Sequence, residues 1–300
     1  MKKSPVKRKI LSILIFSFFT VCAHAQSLSL VFNPVVGSTH KLEIIKEVYS
    51  GYQVSIDEHD ADIANGARAY YLLSFTVLEY TNNRYKIALT IDSSSTSMQV
   101  QAGVRTSEEY HPIENTQRSF DYLSGASILL QISNQGKLLN MEGIEDIANS
   151  FPVNQAGINV ATMYSYMVQE LVRLAIPQFA YDPMAADQTW QGVENIDTGL
   201  YKCVEETQYT LTDFDHAFAE LSSLSSLVPK DGDDAVEMMG MKVKMKLSGT
   251  ATASMKVDRN TGWVVASEWL KSSTTRATVE SPPMQMPPTY GKEKITVKGI

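Results

Sequence analysis

The chain has 300 residues, 44% hydrophobic and 20% charged, with 33 acidic against 26 basic side chains and a formal net charge of −7. That is ample apolar material for a packed core. The acidic balance repels polyanions and argues against nucleic acid as a partner.

At the N-terminus Lys2, Lys3, Lys7, Arg8 and Lys9 precede an apolar run from Ile10 to Val21, and Ala23-His24-Ala25 follows as a small-x-small step. This is the pattern of a secretory signal peptide over residues 1–25, with cleavage expected before Gln26. The run is too short for a permanent anchor, so no transmembrane segment is expected after cleavage. Cys22 raises a lipidation alternative, which Phe19, Thr20 and Val21 disfavour. The expected location is the periplasm or cell envelope, with secretion left open. Removing five leader bases leaves 21 basic against 33 acidic residues, a formal charge of −12. One cysteine then remains, Cys203, too few for an intramolecular disulfide. Between Lys202 and Val204 it reads as a small buried hydrophobe.

Residues 26–300 read as a single β-rich domain. A strand is expected over about 41–54 from Leu42, Ile44 and Val48, and the polar run Asp57 to Gly66 reads as a loop. Strands at 69–79 and 84–93 flank Asn82-Asn83, a hairpin turn because Asn tolerates positive φ. A further strand is expected near 97–104. A second hairpin surrounds Asn134-Gln135-Gly136, and a short helical turn fits Ile144 to Ser150. From Val160, the residues Met163, Met167, Leu171 and Leu174 recur at helical spacing, with Tyr164, Val168 and Ala175 widening the stripe. Asn159 caps this helix and Pro177 ends it. Thr162, Ser165, Gln169 and Arg173 are expected on its other side. Strands resume at Trp190-Gln191-Gly192 and at 200–211. The segment 214–228 fits helix or strand, and strand is favoured.

From Met239 to Val257 the odd positions are Met, Val, Leu, Ala or Gly, while most even positions are Lys, Ser or Thr. That alternation predicts one strand with Met239, Met241, Val243, Met245 and Leu247 inward and Lys242, Lys244 and Lys246 in solvent. Gly249 is expected to bend or split it. Asp258 to Gly262 turns the chain into a strand from Trp263. A proline-rich loop near 282–288 and a closing strand at 292–300 complete the expectation. The fold class is mainly β (α+β): a long curved antiparallel sheet or incomplete barrel with one main helix on one face.

Chemical motifs are weak. Asp197-Thr198-Gly199 matches an aspartic protease tripeptide, but no second aspartate copy exists to share a proton. Asp57 to Asp62 lacks the ligand spacing and sixth-position Gly of a calcium loop. His40, His59, His111 and His216 never pair at zinc spacing. No nucleophile elbow, phosphate loop or dinucleotide fingerprint occurs. No catalytic residue, metal or cofactor is therefore assigned.

Trp190 and Gly192 mid-chain, followed by a Gly-broken strand that runs into Asp258, Thr261 and Gly262, resemble a family of exported Bacteroidota proteins, the domain of unknown function 6263. The resemblance covers about residues 28–300 and brings no catalytic residues. It implies an envelope protein and, by fold analogy alone, a half-barrel like that of lipoprotein-localisation carriers. Three readings stay open. In the first, a non-enzymatic envelope protein holds a lipid or other hydrophobic ligand against Met239, Met241, Met245, Met255, Met163 and Met167, because flexible thioethers suit an adaptable apolar pocket. The second is a structural or protein-interaction module with an envelope partner. The third is an enzyme whose site the sequence hides.

Overall fold

The computed structural model describes residues 27–56, 59–105, 110–120, 123–150, 159–230, 235–238, 240–280 and 283–300. In chain order the strands are β1 (Ser27–Leu28), β2 (Thr39–Ile56), β3 (His59–Thr81), β4 (Arg84–Arg105), β5 (Tyr110–Phe120), β6 (Ser127–Ser133) and β7 (Leu138–Glu142). Two helices follow, α1 (Ile144–Ser150) and α2 (Val160–Ala175). The second half holds β8 (Met184–Ala185), β9 (Thr189–Asp197), β10 (Lys202–Phe214), β11 (Phe218–Pro229), β12 (Val236–Met238), β13 (Met241–Asp258), β14 (Val264–Glu280), β15 (Pro283–Gln285) and β16 (Thr289–Gly299).

Fourteen strands form one antiparallel sheet in the order β7-β6-β4-β3-β2-β16-β14-β13-β11-β10-β9, with β5, β12 and β15 attached to β4, β13 and β14. The sheet is not closed into a barrel. β16 joins the two halves by pairing with β2 on one side and β14 on the other. The turns follow local chemistry. Asn82 and Asn83 take φ of 53° and 58°, the left-handed pair that a two-residue hairpin requires. Asp258 accepts hydrogen bonds from the N–H groups of Asn260 and Thr261 through its Oδ1, at 2.8 and 3.0 Å. At Gly262, with φ +80°, an added Cβ would lie 2.8 Å from the Val31 carbonyl oxygen, because the N-terminal segment crosses this turn.

Helix α2 packs against the inner face of the sheet. The Asn159 side chain accepts from the Thr162 N–H at 3.1 Å, so the sequence-read cap is present. Tyr164, Val168, Leu171, Val172, Leu174 and Ala175 are buried, and they meet Leu42, Ile44, Leu73, Phe75, Ile87, Leu89, Ile91 and Leu130 in one core. At one end of this core Trp263 packs with Phe32, Phe75 and His40, its ring 4.9, 5.3 and 4.7 Å away. The strand reading of 214–228 holds at Phe214, which ends β10, and over 218–228 in β11, with 215–217 turning between them, and Cys203 is fully buried beside Ile196 and Leu247.

Several expectations are corrected. Residues 59–66 of the polar run are strand rather than loop, because their backbone pairs with β2 on one side and β4 on the other whatever the side chains are; Asp57 and Glu58 lie outside the described residues. Residues 84–105 form a single strand through the serine run, with register shifts against β3 at Leu72/Leu73 and Val77/Glu79. β13 is not split at Gly249. Its irregularity falls at Lys256/Val257, and at Gly249 a Cβ would come within 2.4 Å of the Ser272 carbonyl oxygen, so the glycine permits close strand approach. Lastly, Arg173 does not face solvent and Met163 does not join the buried stripe. Most of the buried side chains of α2 lie in its C-terminal half, where Glu170, Leu171, Val172, Leu174 and Ala175 are buried.

Candidate functional site

Cross-strand partners share a face of the sheet, so the ladder registers define what lies under α2. One inner row reads Val48, Glu293, Lys271, Ala251, Ser225, Thr207 and Gly192 across seven strands. Lys46 stands two residues from Val48 on the same face of β2. Lys46, Glu293 and Lys271 thus bring three charged side chains onto this inner surface beneath α2. Helix α2 supplies the fourth, Glu170, whose residue is 5% exposed.

Lys46 Nζ donates to Glu170 Oε2 at 2.6 Å, and Lys271 Nζ donates to Glu170 Oε1. Lys46 Nζ also lies 2.6 Å from Glu293 Oε1, off hydrogen-bond direction, so that contact is an ion pair only. Lys271 sits 3.9 Å from the same carboxylate oxygen. Two cations and two carboxylates thus form a self-neutralising quartet. Burial by itself would raise the Glu170 carboxyl, but Lys271 and Lys46 outweigh it and hold Glu170 well below the usual carboxylate range. Burial likewise would lower Lys46, and Glu170 with Glu293 hold it above its ordinary value. One helical turn along, Arg173 pairs with Glu205 and lies 3.5 Å from Glu194, which also accepts from Gln178 at 2.6 Å. Burial pushes the nearby Tyr201 hydroxyl up to about 12.

Two cavities flank the quartet. One, of about 200 Å³, lies between α2 and β2, β3 and β4. Its walls are Ile44, Val48, Ala67, Ala69, Leu171 and Leu174, with Met167, Tyr71 and Thr96 at its margin and Lys46 and Glu170 at one side. The other, of about 100 Å³, lies under Tyr166 and Tyr201 beside Leu247, Gly291 and Glu293. A third opening of about 380 Å³ separates the free edges β7 and β9 across Gln169, Val172 and Arg173 of α2.

The sequence-predicted methionines are not gathered into one pocket. Met167 lines the 200 Å³ cavity, Met245 is half-buried on β13, and Met255 is buried within the main core. Met163 and Met241 are exposed, and Met239 lies outside the described residues. Sequence reading missed Lys46, Glu170, Lys271 and Glu293. A period-2 signal for the strand members exists: each holds an inward register between apolar or small neighbours, as in Ile44-x-Lys46-x-Val48 and Glu293-x-Ile295-x-Val297. Among the described residues no group of His, Cys, Asp and Glu is placed to hold a metal ion. Asp197 accepts from the Gly199 N–H at 2.9 Å, closing a turn. No helix among the described residues is long and apolar enough to cross a membrane.

No curated protein matches the chain. Among solved structures, one of lipovitellin described for its lipid–protein interactions aligns at 11% identity and a TM-score of 0.45, covering 90% of this chain and 25% of that one. The chain therefore spans a quarter of the lipovitellin chain it matches. OccK7 (OpdD) of Pseudomonas aeruginosa aligns at 6% identity and a TM-score of 0.28, over 88% of this chain and 99% of the other. An outer membrane channel from Pseudomonas putida F1 aligns at 6% identity and 0.25, over 90% and 98%. Residues 175–264, which include Trp190, Gly192, Asp258, Thr261 and Gly262, match the model of a family of unknown function, DUF6263, the family that these turn and packing phrases resemble.

Proposed function

We infer that the protein is an exported, non-enzymatic component of the cell envelope that holds a hydrophobic ligand, of lipid type, in the concavity between α2 and the sheet. The observation that carries this reading is the 200 Å³ cavity. Its walls are aliphatic and small side chains, and Met167 is positioned at its margin as an adaptable thioether. Apolar ligands bind such sites by removing hydrocarbon from water, at about 25 cal/mol per Å². The leader read from the N-terminal sequence supports export, and the absence of a recognisable nucleophile or dinucleotide motif supports a binding role. Native mass spectrometry of protein purified from its own host tests the reading. A lipid-sized adduct released by organic solvent is expected, and a protein that is bare at every preparation would overturn it.

A second reading, an interaction module of the envelope, is favoured by a different observation. β7 and β9 are both edge strands, and the opening between them carries the exposed Leu139 on the β7 edge and the exposed Val193 on the β9 edge. Copurification of a stoichiometric protein partner with a lipid-free chain would select it.

A further inference from the structure

Resting on the ligand-binding reading, we propose that the cavity selects an uncharged amphiphile, one with a hydroxyl or ester head, over fatty anions and fatty amines of the same chain length. The charged side of the cavity is formed by Lys46 and Glu170, and its electrostatics are set by the whole quartet. Lys46 and Lys271 carry two positive charges, and Glu170 and Glu293 carry two negative ones. Each charge already has an opposite neighbour, at 2.6 Å for Lys46 with both carboxylates and in direct hydrogen bond for Lys271 with Glu170.

A carboxylate head placed here would sit beside Lys46 but also against Glu170 and Glu293, and it would leave the buried corner with a net charge of −1. An ammonium head would leave it at +1. Either must abandon its hydration without gaining an unpaired counter-charge, which is the condition under which burying an ion is most costly. A neutral head escapes that cost and still finds partners. Lys46 is an ammonium with three N–H donors, of which one is given to Glu170 in a hydrogen bond while Glu293 is held as an ion pair. Thr96 and Tyr71, whose hydroxyls are hydrogen-bonded to each other, also line the cavity. One hydroxyl or ester oxygen is thus satisfied without changing the charge of the corner. The aliphatic walls from Ile44, Ala67, Ala69 and Leu174 then take the chain.

The test is a titration of the full chain, freed of copurified lipid, with 1-octanol, octanoate and octylammonium at pH 7, read by calorimetry. Octanol is expected to bind at least tenfold tighter than either ion. The Glu170→Gln variant, whose corner carries +1, is expected to gain at least tenfold for octanoate and nothing for octylammonium. Octanoate or octylammonium binding wild type as tightly as octanol would overturn the selectivity while leaving the ligand-binding reading intact. If none of the three bound, the ligand-binding reading itself would fall. Should Glu170→Gln not fold, the ranking on wild type alone decides.

Discussion

Glu170 shows how a single residue holds the helix to the sheet. Its carboxylate bridges Lys46 on β2 and Lys271 on β14, two strands separated by β16. Replacing a whole buried ionic group with apolar residues is often neutral, but removing one member leaves uncompensated charge. Glu170→Ala is therefore expected to cost about 3–5 kcal/mol in urea unfolding, with Lys46 and Lys271 left facing Glu293 alone. Because Glu170 is held below its ordinary value of 4.5, its contribution is fully present above that pH and fades as the pH falls below it. His40 acts in a neighbouring window. Burial lowers its pKa despite the Val264 carbonyl and Asp258, so the unfolded chain takes up a proton first as pH drops below 6.5. Stability should thus decline from pH 6.5 downward. In His40→Phe, which keeps a ring against Trp263, that part of the slope should vanish from the urea midpoints. An unchanged slope would assign it to another group.

At the level of elements, the long strand β13 carries the clearest consequence of register. Leu247 is 8% exposed while its neighbour Lys246 is in solvent. Leu247→Glu should therefore cost several kcal/mol, roughly 2–5, by burying an unpaired carboxylate, and Lys246→Glu should stay within about 0.5 kcal/mol. Equal effects in denaturant melts would contradict the assigned face. Asn159→Ala should remove the α2 cap at about 1 kcal/mol. Much of this scale was legible in the sequence. The Asn-Asn hairpin, the capped helix and the alternation of 243–257 each depend on neighbours within a few residues, whereas Met241, expected inward, is exposed. The polar strand residues 59–66 were not legible, since their order comes from backbone pairing with β2 and β4. The quartet was not legible either. Lys46, Glu170, Lys271 and Glu293 are spread over most of the chain, and only the ladders from β2 through β16 to β14 bring them under one helix. In isolation each looked like an ordinary solvated charge.

The whole molecule is a wide sheet whose inner face is filled over one stretch by α2 and interrupted there by small cavities. Its outer face carries Lys292, Lys294 and Lys298 on β16, with Glu268 beside Lys294 at 3.0 Å. The space assigned to the ligand is the cavity between α2 and β2, β3 and β4, and Ala67 on β3 lines it while only half-buried. Filling that space with an aromatic ring removes the cavity and leaves the quartet in place. Native mass spectrometry of wild type and Ala67→Phe, expressed in the same host and purified side by side, tests the central claim most directly. The expected result is a lipid-type adduct on wild type and a bare Ala67→Phe chain with a melting temperature within a few degrees of wild type. An adduct retained in full by Ala67→Phe, or none on wild type, would contradict a ligand held in this cavity.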